Sequence, residues 1–453
     1  MKKSYEMDMC NGPLVGKILL FAFPLILSSV LQLLFNAADI VVVGRFTGAE
    51  ALAAVGATSA LINLLVNVFM GLSIGTNVLT AQGYGARDEK SVQDTVHTSI
   101  MLSLVCGVFL IFIGVFLAAP LLELMGTPDN VLGHATLYMR IYFIGMPALL
   151  VYNFGAAILR AVGDTRRPLY YLLFSGIINV ILNLIFVIIF KMGVAGVATA
   201  TVVSETISAG LVLRCLMKSE GMFQLHMGKL RIKKQKALQI VRIGLPAGLQ
   251  GAIFAISNVL IQSSINSFGS VAMAGNTAAG NLEGFVYTSM NAVYQTNLSF
   301  TSQNMGAGNW KRMKKILGIC LIFVSVVGLV MGRGFVFFGH QLLGIYSSDP
   351  EVIQYGINRM QVICGTYLLC GIMDVLVGSM RGMGYSFVPM IVSLAGACGL
   401  RILWIFTVFQ WHRSLFVLYL SYPITWILTA LAHTVCWYKI IHKRERQAAQ
   451  IQR

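Results

Sequence analysis

Apolar runs of about 20 residues, the length that crosses a bilayer as one helix, follow one another along nearly the whole chain. Between them no stretch is long enough to form a soluble domain. Only 11% of the 453 residues are charged, whereas a soluble chain of this length carries roughly 25%. The expected fold class is therefore an all-α polytopic membrane protein. Twelve transmembrane helices are expected, at about 15–43, 52–78, 92–120, 131–156, 168–190, 193–217, 237–265, 271–300, 314–340, 352–379, 386–410 and 414–440. Lys2, Lys3, Glu6 and Asp8 precede the first run, which passes through Pro24 with no short core or small-residue cleavage pattern. It reads as the first membrane helix and not as a removable signal.

A formal net charge of +16 in a soluble chain would suggest nucleic acid, but here the positions of the charges matter more. With the N-terminus inside, most Lys and Arg residues fall in inner loops and tails. The outer loops and outer span ends hold Arg45, Lys191, Arg333 and Arg413, while Arg140, Arg359 and Arg401 fall within spans. The positive-inside rule then places both termini in the cytoplasm, and no nucleic-acid partner is expected. Eight cysteines are scattered with no C-x-x-C pair, and seven histidines show no H-E-x-x-H spacing. That pattern offers no metal or redox enzyme, and no cofactor is expected.

The two halves repeat. Thr80-Ala81-Gln82-Gly83-Tyr84-Gly85-Ala86 returns as Thr301-Ser302-Gln303-Asn304-Met305-Gly306-Ala307, a shared T-x-Q-x-x-G-A. Leu159-Arg160-Ala161-Val162-Gly163 returns as Met380-Arg381-Gly382-Met383-Gly384, Gly48 as Gly269, and Pro168 as Pro389. Residue 80 maps to 301 and residue 160 to 381, one offset of 221. Three separated motifs at one offset are not a chance property of apolar sequence. Parallel repeats of this kind are a transporter architecture. Expected boundaries are an N-terminal lobe at 1–217, a basic linker at 218–236, a C-terminal lobe at 237–441 and a tail at 442–453. Pro24 and Pro246 lie inside the first helix of each half. Proline removes a helical hydrogen bond, so each is a hinge candidate, as a static kink or as a bend that changes during transport.

Asn36-x-x-Asp39, Gly44, the two T-x-Q-x-x-G-A motifs, L-R-A-x-G-D-x-x-x-P and G-V-A-G-V-A-x-A-T, in this order and duplicated, are together specific. From about residue 12 to residue 440 the chain resembles the multidrug and toxic compound extrusion (MATE) family, and within it the bacterial DNA-damage-inducible protein F type. The resemblance implies two six-helix bundles forming a V around a central cavity in a bacterial inner membrane. It implies a monomer, surrounded by membrane lipid, that exports cationic or amphipathic small molecules against inward flow of Na+ or H+.

Four acids fall within spans: Asp39, Glu205, Glu283 and Asp374. A carboxylate costs several kcal/mol in the bilayer, so each is a functional candidate. Asp39 lies roughly 7 Å below the outer end of its span at 1.5 Å per residue, and Asn183 and Thr201 roughly 12 Å below theirs. Asn179 and Asn183 are i and i+4 and share a helix face. Carboxylate, amide and hydroxyl oxygens suit a hard cation such as sodium. The resemblance carries the family's cation site onto Asp39, Asn179, Asn183 and Thr201. Some relatives have an aspartate where this chain has Asn183, so a two-carboxylate proton relay is in doubt. For the two asparagines, interhelical hydrogen bonding is the plainer alternative.

The positions 221 residues on are Leu400, Trp404 and Tyr422, so cation coupling is expected in the first half only. The second half instead offers Glu283, Tyr287 and Asn291 at helical spacing, with Asp374 on another span. These are candidate substrate-cavity residues, since a carboxylate among aromatics attracts an organic cation; packing between helices is the alternative. Glu205, placed toward the inner end of its helix, reads as structural. Two other classes remain. A flippase for lipid-linked sugars would show a strongly cationic cavity and often extra helices. A membrane-embedded transferase would need clustered His or paired Asp at a membrane face.

Overall fold

The computed structural model describes residues 5–451, without the side chains of residues 49, 448, 449 and 451. All regular structure among them is helical, as lipid demands of a backbone that must satisfy its own hydrogen bonds. The first half comprises α1 (Leu14–Phe46), α2 (Ala49–Gly85), α3 (Glu89–Phe116), α4, α5 (Arg166–Leu184) and α6 (Val194–Lys218). α4 is a pair, Asp129–Ile144 and Met146–Ala161, bent by 46°. Gly145 stands at the break and Pro147 in the first turn beyond it. α5 runs into a π-helical turn, Ile185–Ile189. The second half comprises α7 (Lys234–Asn266), α8 (Ser270–Gly306), α9 (Trp310–Phe337), α10, α11 and α12 (Leu415–Ile451). α10 is again a pair, Pro350–Thr366 and Leu368–Gly382, bent by 43°. α11 starts at Phe387–Ser393, passes through a π-helical stretch at Leu394–Leu400 and continues as Arg401–Phe406.

Nine helices among the described residues are each long and apolar enough to cross a membrane, and the two bent pairs bring this to eleven. The twelfth expected span is α8, whose 37 residues include buried Asn276, Glu283, Asn297 and Asn304. It is long enough to cross but too polar to be recognised by hydropathy. Its polar groups are buried against protein, where partners can satisfy them.

The repeat motifs turn out to be helix ends. T-x-Q-x-x-G-A closes α2 and α8 alike: the Ala86 N–H donates to Gln82 O at 2.9 Å and the Ala307 N–H to Gln303 O at 3.0 Å. Arg87 and Gly308, which follow, both have left-handed backbones, with φ of 57° and 70°.

The chain folds into two compact units, and their membership crosses the expected boundaries. One unit contains residues up to Asp8 and Leu27–Gly248; the other contains Met9–Ile26 and the chain from Leu249 on. The division therefore cuts α1 and α7 two residues beyond Pro24 and Pro246, and not at the 218–236 linker. Packing explains this. In the first unit a Cβ added to Gly71 would lie 2.3 Å from the Gly248 nitrogen, and one added to Gly244 would lie 2.5 Å from Leu72 Cα. Only glycines allow two backbones this close, which holds the early part of α7 against α2. In the second unit, Asn304 Nδ2 donates to Met9 O at 3.1 Å, and Arg312 Nη2 donates to the Asn11 and Gly12 carbonyls at 3.0 Å each. Phe21 meets Phe300 edge-on at 5.5 Å. None of these pairings has a local sequence signature.

Candidate functional site

In the first unit the structure brings Asp39, Asn183, Asn179 and Thr201 into one hydrogen-bonded chain. α1 carries Asp39 beyond the proline, and α5 carries both asparagines on one face. Asn183 Nδ2 donates to Asp39 Oδ1 at 2.5 Å and to Asn179 Oδ1 at 3.2 Å. Asn179 Nδ2 donates to Thr201 Oγ1 at 3.4 Å. Thr201 in turn donates to the Val197 carbonyl one turn back, at 3.1 Å, which leaves its oxygen turned to the asparagines as an acceptor. Asn183 is 0% and Asn179 5% exposed. α5 enters its π-helical turn directly after Asn183 and Leu184, a distortion frequent at functional sites.

One atom of this chain is left over after the interhelical hydrogen bonds are made. Asn183 Oδ1 is buried and has no hydrogen-bond partner. An acceptor desolvated without a donor costs on the order of 1–3 kcal/mol. The orphan oxygen belongs to the same side chain as the amide on Asp39, so an uncompensated acceptor and a carboxylate stand together. A small hard cation would satisfy both.

Glu205 was expected near the inner end of its helix, but α6 runs from Val194 to Lys218 and places it at mid-helix. Its Oε2 is buried and unpartnered, and a Cβ on Gly145 would lie 3.3 Å from it. A second lipid-depth carboxylate thus belongs to the first unit, and its lone acidic letter in an apolar run was the available signal.

In the second unit the expected substrate stripe divides. Glu283 is a correction: it is buried and held by Arg359, whose Nε and Nη2 donate to its two oxygens at 2.7 Å each. Arg359 Nη1 also donates to Asn276 Oδ1 at 2.5 Å, and Asn276 Nδ2 to Gln262 Oε1 at 3.0 Å. The Glu283 charge is thereby neutralised inside the unit and not offered to a substrate. Sequence reading named Arg359 as a charge within a span but did not pair it with Glu283, 76 residues away. Arg401 stacks 4.0 Å over the Tyr422 ring and donates to Thr425 Oγ1 at 3.2 Å. Arg359 and Arg401 are only 8% and 6% exposed.

Tyr287 is 41% exposed, and half-buried Asn291 accepts from Gln295 Nε2 at 3.0 Å. Half-buried Asp374 forms no hydrogen bond or ion pair among the described residues and lies within electrostatic range of Tyr287 and Arg381. Arg381 is held by Tyr294 Oη and Gln250 Oε1, both at 2.8 Å. Tyr287, Asn291 and Asp374 therefore keep polar capacity that Glu283 lacks.

A family profile described as MatE matches residues 24–185 and 246–407, two stretches of equal length that begin at the two prolines. "Probable multidrug resistance protein YoeA" of Bacillus subtilis is 28% identical over 443 residues, covering 96% of this chain and 95% of that protein. Among solved structures, an outward-facing multidrug resistance MATE family transporter of the MOP superfamily superposes with a TM-score of 0.91 at 20% identity, over 98% of this chain and 100% of its own. A MATE structure in a straight conformation gives 0.92 at 20% identity, covering 98% and 100%. One in a bent conformation gives 0.86 at 20%, covering 96% of each chain.

Proposed function

Since the chain belongs to the MatE family, a family of multi-pass transporters, we propose that it exports amphipathic, mainly cationic small molecules across a bacterial cytoplasmic membrane in exchange for Na+ or H+. The observation that carries this reading is that Asp39 accepts from the Asn183 amide nitrogen while the oxygen of the same amide is buried without a partner. The names of relatives such as "Probable multidrug resistance protein YoeA" support drug-like small molecules as substrates, and the acids and aromatics of the second unit favour cationic ones. The coupling ion is transported, so it is a substrate here and not a resident cofactor.

The residues divide the work as follows. Asp39 supplies the exchangeable charge, holding a proton or neutralising a sodium ion. Asn183 Oδ1, Asn179 and Thr201 supply neutral oxygens that strip water from a small cation without adding charge. Asn183 cannot titrate, so Asp39 is the one titratable member of this chain of groups. Occupancy at Asp39 is felt along α1, which contains Pro24. A proline leaves one carbonyl without its helical donor and lets the helix change its bend at low cost. Bent and straight forms are named for a relative of the same fold. Pro246 would play the same part in α7. The substrate would meet Tyr287, Asn291 and Asp374.

The flippase reading needs a strongly cationic cavity. Arg359 is engaged by Glu283 and Arg401 lies against Tyr422 inside the second unit, so neither supports it. The test is efflux of a cationic dye from proteoliposomes holding the purified chain, under a sodium gradient and a proton gradient imposed separately. Stimulation by one of them is expected. Efflux indifferent to both gradients defeats the antiport reading.

A further inference from the structure

Apart from the Asp39 chain, the first unit holds a polar cavity of about 480 Å³. It is lined by the first turns of α3 and by the segment leading into α7, including Lys90, Asp94, His97, Lys229, Arg231 and Lys233. The segment is fixed in place and does not merely span a gap. Phe223 and Leu225 are buried with Val92, Val96 and Ile100 of α3. The Lys233 N–H donates to Thr98 Oγ1 at 3.2 Å, and its Nζ pairs with Asp94 at 2.5 Å.

His97 fastens the other side. The His226 backbone N–H, which can only donate, lies 3.1 Å from His97 Nε2, and the Gln93 carbonyl, which can only accept, lies 2.6 Å from Nδ1. The ring therefore carries its proton on Nδ1, accepts at Nε2 and adds no charge to the cavity.

The balance of the lining is strongly positive. Asp94 is taken by Lys233. Nearby Asp88 caps α3 by accepting from the Ser91 N–H at 3.0 Å, and Glu89 accepts from Gln93 at 3.4 Å. Lys90, Lys229 and Arg231 form no ion pair among the described residues. Three unneutralised cations around a preformed cavity suit a group with several anionic oxygens, and phosphate is the commonest such group. The position narrows the source. α3 and α7 are membrane-crossing helices, and the cavity lies where both begin, the depth of lipid headgroups. Basic pockets at such places hold anionic lipid headgroups.

We propose that this cavity binds a phosphate group, that of an anionic phospholipid headgroup or of a soluble phosphate, and that the linker's basic residues serve this site as well as topology. The full chain purified in detergent would be exposed to phosphatidylglycerol or phosphatidylethanolamine, and bound lipid read by native mass spectrometry. In parallel, lipid-free protein would be acetylated with and without millimolar inorganic phosphate. Selective retention of phosphatidylglycerol assigns the lipid source. Protection of Lys229 by phosphate alone assigns the soluble one.

In either arm, Lys90→Gln/Lys229→Gln/Arg231→Gln is expected to weaken binding by about fivefold per side chain removed. Lys439→Gln/Lys443→Gln, on α12 of the other unit and not among the cavity's lining residues, should leave it unchanged. Should the triple variant not fold, Lys229→Gln alone carries the test, since Lys229 is exposed on a short turn. Retention of phosphatidylglycerol no better than phosphatidylethanolamine, with no phosphate protection, overturns the proposal, as does undiminished binding in the variants.

Discussion

In the first half, Asn183, Asn179 and Thr201 link an acid, Asp39, to neutral oxygens, one of which has no partner. At the positions 221 residues on, the second half has Trp404, Leu400 and Tyr422, and a guanidinium lies over the last of these. Arg401 is a cation that cannot leave. Glu283, the acid of the second unit's core, is likewise held by Arg359. An exchangeable ion needs a carboxylate whose counter-charge can come and go; a permanent arginine removes that freedom. The comparison teaches that duplication preserved the frame of this protein and divided its chemistry. The repeated motifs are caps and turns, and the charged groups are the part that diverged.

The sharpest structural break of this comparison is at Arg359. Removing one member of a buried ion pair strands the other, which costs about 3–5 kcal/mol. Arg359→Met is expected to lower thermal stability in detergent by that much. Arg359→Met/Glu283→Gln should recover a large part of it. A double variant as unstable as the single would mean that the pair is not the reason Glu283 is buried.

Next come the glycines that place α7 in the first unit. Gly244→Leu would force a side chain into the α2 backbone, and overpacking of this kind costs about 1–3 kcal/mol. Gly280→Ala, in mid-helix where the space is open, should instead gain about 0.5–1 kcal/mol of stability. Equal melting temperatures for the two variants would contradict the close crossing of α2 and α7.

A smaller effect is expected at Thr201. Thr201→Val keeps shape and removes one oxygen, worth about 1 kcal/mol, or roughly fivefold in the cation concentration giving half-maximal efflux. An unchanged half-maximal concentration would remove Thr201 from the site. The smallest expected effect is none at all: Leu400→Asn, which places an amide in the second half, should leave the gradient dependence of efflux as it is. A new cation dependence in that variant would show that the second half retains a latent coupling site.

Much of this was legible from residue letters because the relevant signals are local. Asp39 is one acid in a long apolar run, and Asn179 and Asn183 are one helical turn apart, so their shared face follows from spacing. α8 was placed among the apolar spans at 271–300, although its own polarity hides it from a strict hydropathy test. The rest depends on contacts between residues distant in the chain. Arg359 lies 76 positions from Glu283, so the stripe looked like a free carboxylate among tyrosines. The crossing of Gly71 with Gly244 and Gly248 depends on two backbones meeting, which single glycines in an apolar sequence do not announce. Glu205 was misread along its helix although the expected span, 193–217, agrees with the observed Val194–Lys218 to one residue and already has Glu205 at its middle.

The central claim is that ion coupling resides in the first half, and the direct measurement compares Asp39→Asn with Asp374→Asn in proteoliposomes. Dye efflux would be followed under whichever gradient drives the unaltered protein. Asp39→Asn should lose the gradient-driven component while still binding dye, and Asp374→Asn should keep gradient dependence with weaker dye affinity. Gradient-driven efflux that survives Asp39→Asn, or is lost in Asp374→Asn alone, would contradict the account.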